Sequence, residues 1–127
     1  PVKKLGPRVF DLEGAPWCRV DLVLDSPSGV RLECAYWSPA AALLDQEEAR
    51  ERTCVLYAHG NSSCRAEALQ ALRVCGLVGA ALCSACTSGS GASGGDYVTL
   101  GLRESRDVAA VAAYLRRRMR VTKLALW

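Results

Sequence analysis

Residues 53–63 read Thr-Cys-Val-Leu-Tyr-Ala-His-Gly-Asn-Ser-Ser, a compact apolar run followed directly by small and polar residues. A short run that is hydrophobic on both faces is typical of a strand inside a parallel sheet. In an open parallel sheet, ligands bind just beyond the carboxyl ends of the strands. We therefore predict a buried strand over Thr53 to Ala58 and a candidate binding loop that begins at His59.

The segments after this strand alternate between helical and strand patterns. Helical spacing runs from Cys64 to Cys75, an apolar run covers Ala80 to Cys86, and a long helical pattern covers Leu100 to Arg118. Val121 to Trp127 is predicted to be a further buried strand. This alternation predicts an α/β fold with βαβ units, a parallel sheet and helices on both of its faces.

The first helical pattern has a distinct apolar face. Ala68 lies on that face. The polar residues Arg65, Glu67 and Arg73 are expected to point mostly towards solvent. Ser62 or Ser63 is expected to cap the start of this helix, because serine side chains accept hydrogen bonds from the first free N–H groups.

The chain before Thr53 follows another pattern. Arg19 to Asp25 and Val30 to Trp37 each alternate polar and apolar residues around a Ser-Pro-Ser-Gly turn, which predicts an antiparallel hairpin. Residues 1–17 are expected to be irregular, with residues 18–127 forming the folded domain. Ser38 to Arg52 is predicted to be a solvated connection with a short helical turn.

Composition limits the class of protein. The chain has 127 residues, a net charge of +3, 50% apolar residues and 23% charged residues. These values fit one globular domain and do not suggest a nucleic-acid partner. No apolar run is long enough to predict a transmembrane segment. The arginines in 116–120 suit the negative end of a helix dipole.

Seven cysteines are present, and most of them lie in apolar runs. An odd number without an evident disulfide framework favours buried free thiols in a reducing compartment, and hence the cytoplasm. Cys83 and Cys86 have the CxxC spacing of zinc or redox sites, but no second pair of ligands accompanies them.

A glycine-rich loop allows two interpretations. Gly89-Ser-Gly91-Ala-Ser-Gly94 matches the GxGxxG spacing of dinucleotide-binding loops. The following helix starts several residues later, however, and Leu124 to Trp127 offers no acidic residue for a ribose. The second interpretation places this loop beside His59, in one crevice where backbone N–H groups would stabilise the oxyanion of an acyl transfer.

Three segments together resemble the alpha/beta-hydrolase superfamily. They are Val55 to Arg65, which contains His-Gly-Asn-Ser, Ser88 to Gly101, which contains Gly-Asp-Tyr-Val-Thr-Leu-Gly, and Leu124 to Trp127. More narrowly, they resemble the serine-aminopeptidase-like and monoacylglycerol-lipase-like hydrolases of plants and protists. The resemblance runs from about Val20 to Trp127 and implies the N-terminal half of that fold, an antiparallel hairpin followed by parallel strands.

The resemblance also implies roles for site residues. His59 and Gly60 would shape the oxyanion loop, the backbone N–H of Asn61 would be an oxyanion donor, and Ser62 would support the loop. No metal or organic cofactor is implied. The family's nucleophile lies in a Gly-x-Ser-x-Gly elbow, which would place its serine about three positions beyond Trp127.

The expected activity is that of a serine hydrolase of ester, lipid or peptide acyl bonds. Because His59 is the only histidine and is structural in this family, we expect a fragment that ends before the nucleophile and is inactive alone. A noncatalytic, hydrolase-derived binding module and a nucleotide-binding domain are the alternatives. A Cys64–His59 nucleophile pair is a further, disfavoured option.

One position departs from the family pattern. Cys86 stands where family members usually have Asp, and a thiol accepts hydrogen bonds poorly, which questions the rigidity of the glycine-rich loop. The chain alone is also expected to be poorly soluble or molten, because its last strand and the helix above it would lack partners.

Overall fold

The computed structural model describes residues 2–46 and 50–127, and the predicted connection therefore lies partly outside the described residues. Six strands form one sheet: β1 (Val9–Leu12), β2 (Ala15–Asp25), β3 (Arg31–Pro39), β4 (Thr53–Tyr57), β5 (Ala81–Ala85) and β6 (Lys123–Leu126). The helices are α1 (Ala40–Leu44), α2 (Leu72–Leu77) and α3 (Leu102–Arg118), and two 3-10 helices cover Val2–Leu5 and Arg65–Ala71.

The sheet combines an antiparallel half with a parallel half. Its spatial order is β1-β2-β3-β5-β4-β6, in which β1, β2, β3 and β5 are antiparallel neighbours. Strand β4 runs parallel to β5 on one side and to β6 on the other, so that Val55 is opposite both Leu82 and Ala125. The predicted hairpin followed by parallel strands is confirmed.

Two apolar cores lie on opposite faces of the sheet. Because successive side chains of a strand point to opposite faces, Cys34 of β3 packs in the core that contains Val111 and Leu115 of α3. Trp37, at odd spacing from Cys34, packs in the second core with Ala68 and Cys75. The predicted helices on both faces are therefore confirmed.

The expectation that residues 1–17 are irregular is wrong. Val9–Leu12 forms β1, and Leu12 pairs with Ala15 across a two-residue turn. The turn residues Glu13 and Gly14 have φ values of 52° and 80°, which is the left-handed geometry that matches the twist of a tight hairpin. A strand of four residues gives too short an alternating pattern to be predicted among the surrounding glycines and prolines.

The first predicted helix differs from the expectation in three respects. It is a 3-10 helix over Arg65–Ala71 that continues as the short α2. The N-cap position is Cys64, with no side-chain cap, so the prediction of a Ser62 or Ser63 cap is wrong. Arg65, predicted to point to solvent, is buried at 5% exposure.

The ends of the later elements also shift. Helix α3 starts at Leu102 instead of Leu100, because Leu100 and Gly101 have positive φ values of 54° and 126°. The predicted strand Val121 to Trp127 narrows to β6 at the edge of the sheet, where Leu126 is exposed and not buried as expected. Among the helices of the described residues, none has the length and apolarity that crossing a membrane requires.

Candidate functional site

The loops that leave β4 and β5 meet at one end of the sheet. Because β4 and β5 are parallel neighbours, their carboxyl ends lie side by side. A cavity of about 730 Å³ opens there, lined by His59, Gly60 and Asn61 from the first loop and by Thr87 and Ser90 from the second. The prediction that both loops line one crevice is therefore confirmed.

His59 connects the two loops by hydrogen bonds. Its Nδ1 lies 2.9 Å from the carbonyl oxygen of Gly60, and its Nε2 lies 3.3 Å from the backbone nitrogen of Thr87. The amide of Thr87 is a donor, so Nε2 accepts this hydrogen bond, and the N–H at Nδ1 donates a hydrogen bond to the Gly60 carbonyl. Both ring nitrogens are thus engaged in hydrogen bonds, one within the first loop and one to the second loop, which leaves neither for activating the thiol of Cys64.

Glu67 holds the backbone of the first loop. One of its carboxylate oxygens lies 3.3 Å from the amide nitrogen of Gly60, and the other accepts a hydrogen bond from the Tyr57 hydroxyl at 2.9 Å. Hydrogen bonds from Ser63 and then Tyr57 lower the pKa of Glu67. Burial, followed by the hydrogen bond to Glu67, raises the pKa of Tyr57.

Sequence reasoning missed this role, since it counted Glu67 only as a polar residue on the solvent side of a helix. A glutamate in the first turn after a polar loop is the one signal in the sequence, because such a side chain can reach back to backbone N–H groups.

The amides of the first loop differ in their partners. The Gly60 amide donates to Glu67, the Ser62 amide donates to the Asn61 side-chain oxygen at 3.0 Å, and the Ser63 amide donates to the Gly60 carbonyl at 3.2 Å. Within the described part of the chain, the Asn61 amide has no such partner. Ser62 adopts a left-handed φ of 61°, which makes the sharp turn after Asn61.

The glycine-rich loop is held to β3 by backbone hydrogen bonds. The Cys86 amide donates to the Glu33 carbonyl at 2.9 Å, and the Gly94 amide donates to the Arg31 carbonyl at 2.9 Å. The Glu33 amide in turn donates to the Ser93 hydroxyl at 2.8 Å. These contacts do not involve the Cys86 side chain, so they hold the loop although a thiol stands where the family usually has a carboxylate.

Close backbone contacts explain glycine at one position of this loop. Gly89 has a φ of 78°, and a Cβ there would lie 2.5 Å from the backbone carbonyl of Tyr97. A larger residue would therefore meet both backbone strain and a backbone clash.

Two acidic residues of α3 hold the chain between β5 and α3. Asp107 is buried, and its carboxylate accepts a hydrogen bond from the Ser88 amide at 2.7 Å. Glu104 lines the cavity, but its carboxylate accepts hydrogen bonds from the Thr99 amide at 2.6 Å and the Gly101 amide at 2.8 Å. The Thr99 hydrogen bonds lower the pKa of Glu104 to about 2. Glu104 is therefore a structural acceptor and not a candidate general base.

The structure gives no support to the nucleotide or metal interpretations. The GxGxxG loop ends at Gly94, well before α3 begins at Leu102, so no helix N-terminus adjoins it as a pyrophosphate site would require. Cys83 packs in the core under α3, whereas Cys86 accepts a hydrogen bond from the Arg65 amide. Among the described residues there is no cluster of three or more side chains that could hold a metal ion.

No protein-family model matches the chain, and no curated protein does either. Solved structures do match. The esterase Pf2001 of Pyrococcus furiosus has a TM-score of 0.66 and 20% identity, over 85% of this chain and 40% of its own. XC6422 of Xanthomonas campestris, an α/β serine hydrolase without a lid, has a TM-score of 0.65 and 23% identity, over 85% of this chain and 49% of its own.

A larger protein gives the same result. Oligopeptidase B of Leishmania major has a TM-score of 0.65 and 17% identity, over 87% of this chain and 16% of its own. At these identities the likeness concerns the fold. The chain therefore has the fold of the α/β hydrolases, and it spans less than half of each of these three hydrolases.

Proposed function

We propose that this chain forms the oxyanion-loop half of a serine hydrolase that cleaves ester, lipid or peptide acyl bonds. The observation that supports it is the amide of Asn61, a residue that lines the cavity. Among the described residues this amide has no acceptor, whereas the amides of its neighbours Gly60, Ser62 and Ser63 each have one. A backbone N–H kept free at a cavity is the group that stabilises the negative oxygen of a tetrahedral intermediate.

The surrounding residues keep this amide in place. His59 joins the loop to Thr87, and Glu67 holds Gly60. A donor fixed before the substrate arrives needs no reorganisation during the reaction, and removing one such donor costs roughly 10²–10³-fold in kcat. Ser62 supports the turn through its left-handed conformation.

The nucleophile, the acid and the base are proposed to lie outside this chain. His59 is the only histidine of the sequence, and both of its nitrogens are engaged in hydrogen bonds. The proposed subtype is that of the serine-aminopeptidase-like and monoacylglycerol-lipase-like hydrolases of plants and protists. The substrate is proposed to be a small-molecule, lipid or peptide acyl compound.

The source transcript beyond the codon of Trp127 provides the first test. A Gly-x-Ser-x-Gly elbow followed by an Asp and a His supports the proposal. A stop codon, or another residue at the serine position, contradicts it.

A fluorophosphonate probe provides the second test, because it labels an activated serine. We expect the natural protein to be labelled and residues 1–127 alone to remain unlabelled. In the natural protein, Asn61→Pro removes the amide proton and should lower kcat about 10²-fold or more. Asn61→Ala, which keeps that proton, is the matched control, and equal losses in both variants would contradict the oxyanion role.

The second candidate is a noncatalytic binding module. The observation that favours it is the cavity itself, which this chain builds with apolar walls that include Val98, Val108 and Leu124. A fluorescent fatty acid should then bind the natural protein and be displaced by unlabelled fatty acid. Binding without fluorophosphonate labelling supports the module, and labelling supports the hydrolase.

A further inference from the structure

Two cysteines from distant parts of the sequence converge beneath the glycine-rich loop. Cys64 precedes the 3-10 helix Arg65–Ala71, and Cys86 follows β5. A Cβ placed on Gly91 would lie 3.0 Å from the Cβ of Cys64 and 3.2 Å from the Cβ of Cys86. The two side chains thus share one small space, which is available because residue 91 is a glycine.

The Cys86 sulfur lies against the backbone that directly follows Cys64. It accepts a hydrogen bond from the amide of Arg65, the residue after Cys64, at 3.4 Å. A disulfide needs Cβ atoms roughly 3.5–4.5 Å apart. The Cβ atoms of Cys64 and Cys86 are separated by no more than the sum of their distances to the Gly91 position, and a shift of the loop closes the remaining gap.

Cys64 is the member of this pair that solvent can reach, whereas Cys86 is buried. Cys64 is partly exposed, and the two cysteines line a cavity of about 130 Å³ together with Gly91 and Leu5. Burial raises the pKa of Cys34 and of Cys54 to about 12. Thiolates are the reactive form of cysteine, so burial makes those two thiols unreactive.

We propose that Cys64 and Cys86 form an oxidant-sensitive dithiol site that closes to a disulfide when a peroxide reaches it. The Cys64 sulfur attacks one oxygen of hydrogen peroxide, the O–O bond breaks, and the products are a sulfenic acid and water. The Cys86 sulfur then attacks the Cys64 sulfur and the S–O bond breaks. The leaving hydroxide takes the proton of the Cys86 thiol and departs as a second water, so two thiols are oxidised and one peroxide is reduced.

The new bond would link the two loops of the candidate site. Cys64 directly follows the His59–Ser63 loop, and Cys86 directly precedes the glycine-rich loop that contains Thr87 and Ser90. The disulfide would therefore constrain the two loops that line the cavity, although neither cysteine is a residue assigned to the oxyanion loop. This site is independent of the proposed hydrolase activity, since it needs only the fold.

The test is hydrogen peroxide treatment of the reduced natural protein, followed by non-reducing peptide mapping. We expect a Cys64–Cys86 linked peptide with the mass of two hydrogen atoms lost, which dithiothreitol reverses. Fragmentation must separate Cys54 from Cys64, and Cys86 from Cys75 and Cys83, because no lysine or arginine lies within either group for trypsin to cleave. Cys64→Ser should abolish the linkage, whereas Cys18→Ser, at the other partly exposed thiol, should retain it.

Three results would overturn the proposal. They are a linkage of Cys86 to Cys34 or Cys83, a linked product that persists in Cys64→Ser, and over-oxidation of Cys64 to a sulfinic acid without any linkage. Circular dichroism of each variant confirms that it is folded. Because Cys64 lies at a partly exposed helix start, Cys64→Ser is expected to fold even where Cys86→Ser does not.

Discussion

At the scale of the residue, Arg65 shows why the helical period of the sequence did not predict a buried charge. Arg65, Ala68 and Ala71 are three residues apart, and all three are buried. In a 3-10 helix, residues at i and i+3 lie directly above one another, whereas a period of 3.6 places Arg65 off the apolar face. The change of helix type therefore turns the guanidinium into the protein, where it contacts Glu33 at 3.2 Å and the Cys34 carbonyl at 3.5 Å.

Replacing this arginine tests the contribution of the buried ion pair. Arg65→Met keeps most of the volume but leaves the Glu33 carboxylate without its buried partner, so unfolding free energy should fall by about 3 kcal/mol. That value is at the lower end of the usual range because Glu33 also contacts Arg31 at 3.1 Å. The measurement is urea unfolding of the natural protein.

Arg73→Met is the matched control for this prediction. Arg73 pairs with Glu13, but the two side chains are 73% and 44% exposed. An exposed pair contributes about 1 kcal/mol or less, so this variant should remain close to the wild type. Equal losses for both arginines would show that burial does not distinguish the two pairs.

At the scale of the element, the start of α3 depends on one carboxylate. Glu104 accepts hydrogen bonds from the Gly101 amide and from both the amide and the hydroxyl of Thr99. These bonds satisfy N–H groups that have no partner inside a helix. All three hydrogen bonds form only while the Glu104 carboxylate is ionised.

The pH dependence of this contact has a defined sign. The pKa of Glu104 falls from 4.5 to about 2 on folding, so the ionised carboxylate stabilises the protein above pH 4.5. This contribution is lost as the pH falls from 4.5 towards 2. Glu104→Gln should therefore be less stable than the wild type at pH 7, and the difference should shrink at pH 3. Thermal melts at the two pH values measure it, and a constant difference would contradict the assignment.

The elements that sequence patterns predicted are those with a clear apolar pattern. Strands β2 and β3 follow from alternation, β4 and β5 from short continuous apolar runs, and α3 from helical spacing. The crevice follows from the parallel pairing of β4 with β5. Strand β1 is too short for such a signal. The roles of Glu67 and Asp107 depend on which backbone amides lie near them, and that proximity arises only when distant loops meet.

At the scale of the whole molecule, the sheet ends in β1 on one side and β6 on the other. Strand β6 is an edge strand within the described residues. Its last residue, Leu126, is 68% exposed, and the next residue, Trp127, is 54% exposed. The cavity beside it is walled by apolar residues of α3 and β6. An open strand edge next to an apolar surface is a template for association with another chain.

Residues 1–127 expressed alone should consequently be poorly soluble or molten. The net charge of +3 provides little repulsion between copies, and the edge of β6 offers unpaired backbone groups next to exposed Leu126. We expect strong binding of an apolar fluorescent dye, a broad thermal transition and aggregates in size-exclusion chromatography. Leu126→Lys should increase the monomer fraction, because a charge on an edge strand opposes pairing with another strand. A soluble wild-type monomer with one sharp thermal transition would contradict this prediction. It would mean that the two apolar cores are sufficient for a stable fold without another segment packed against β6 and α3.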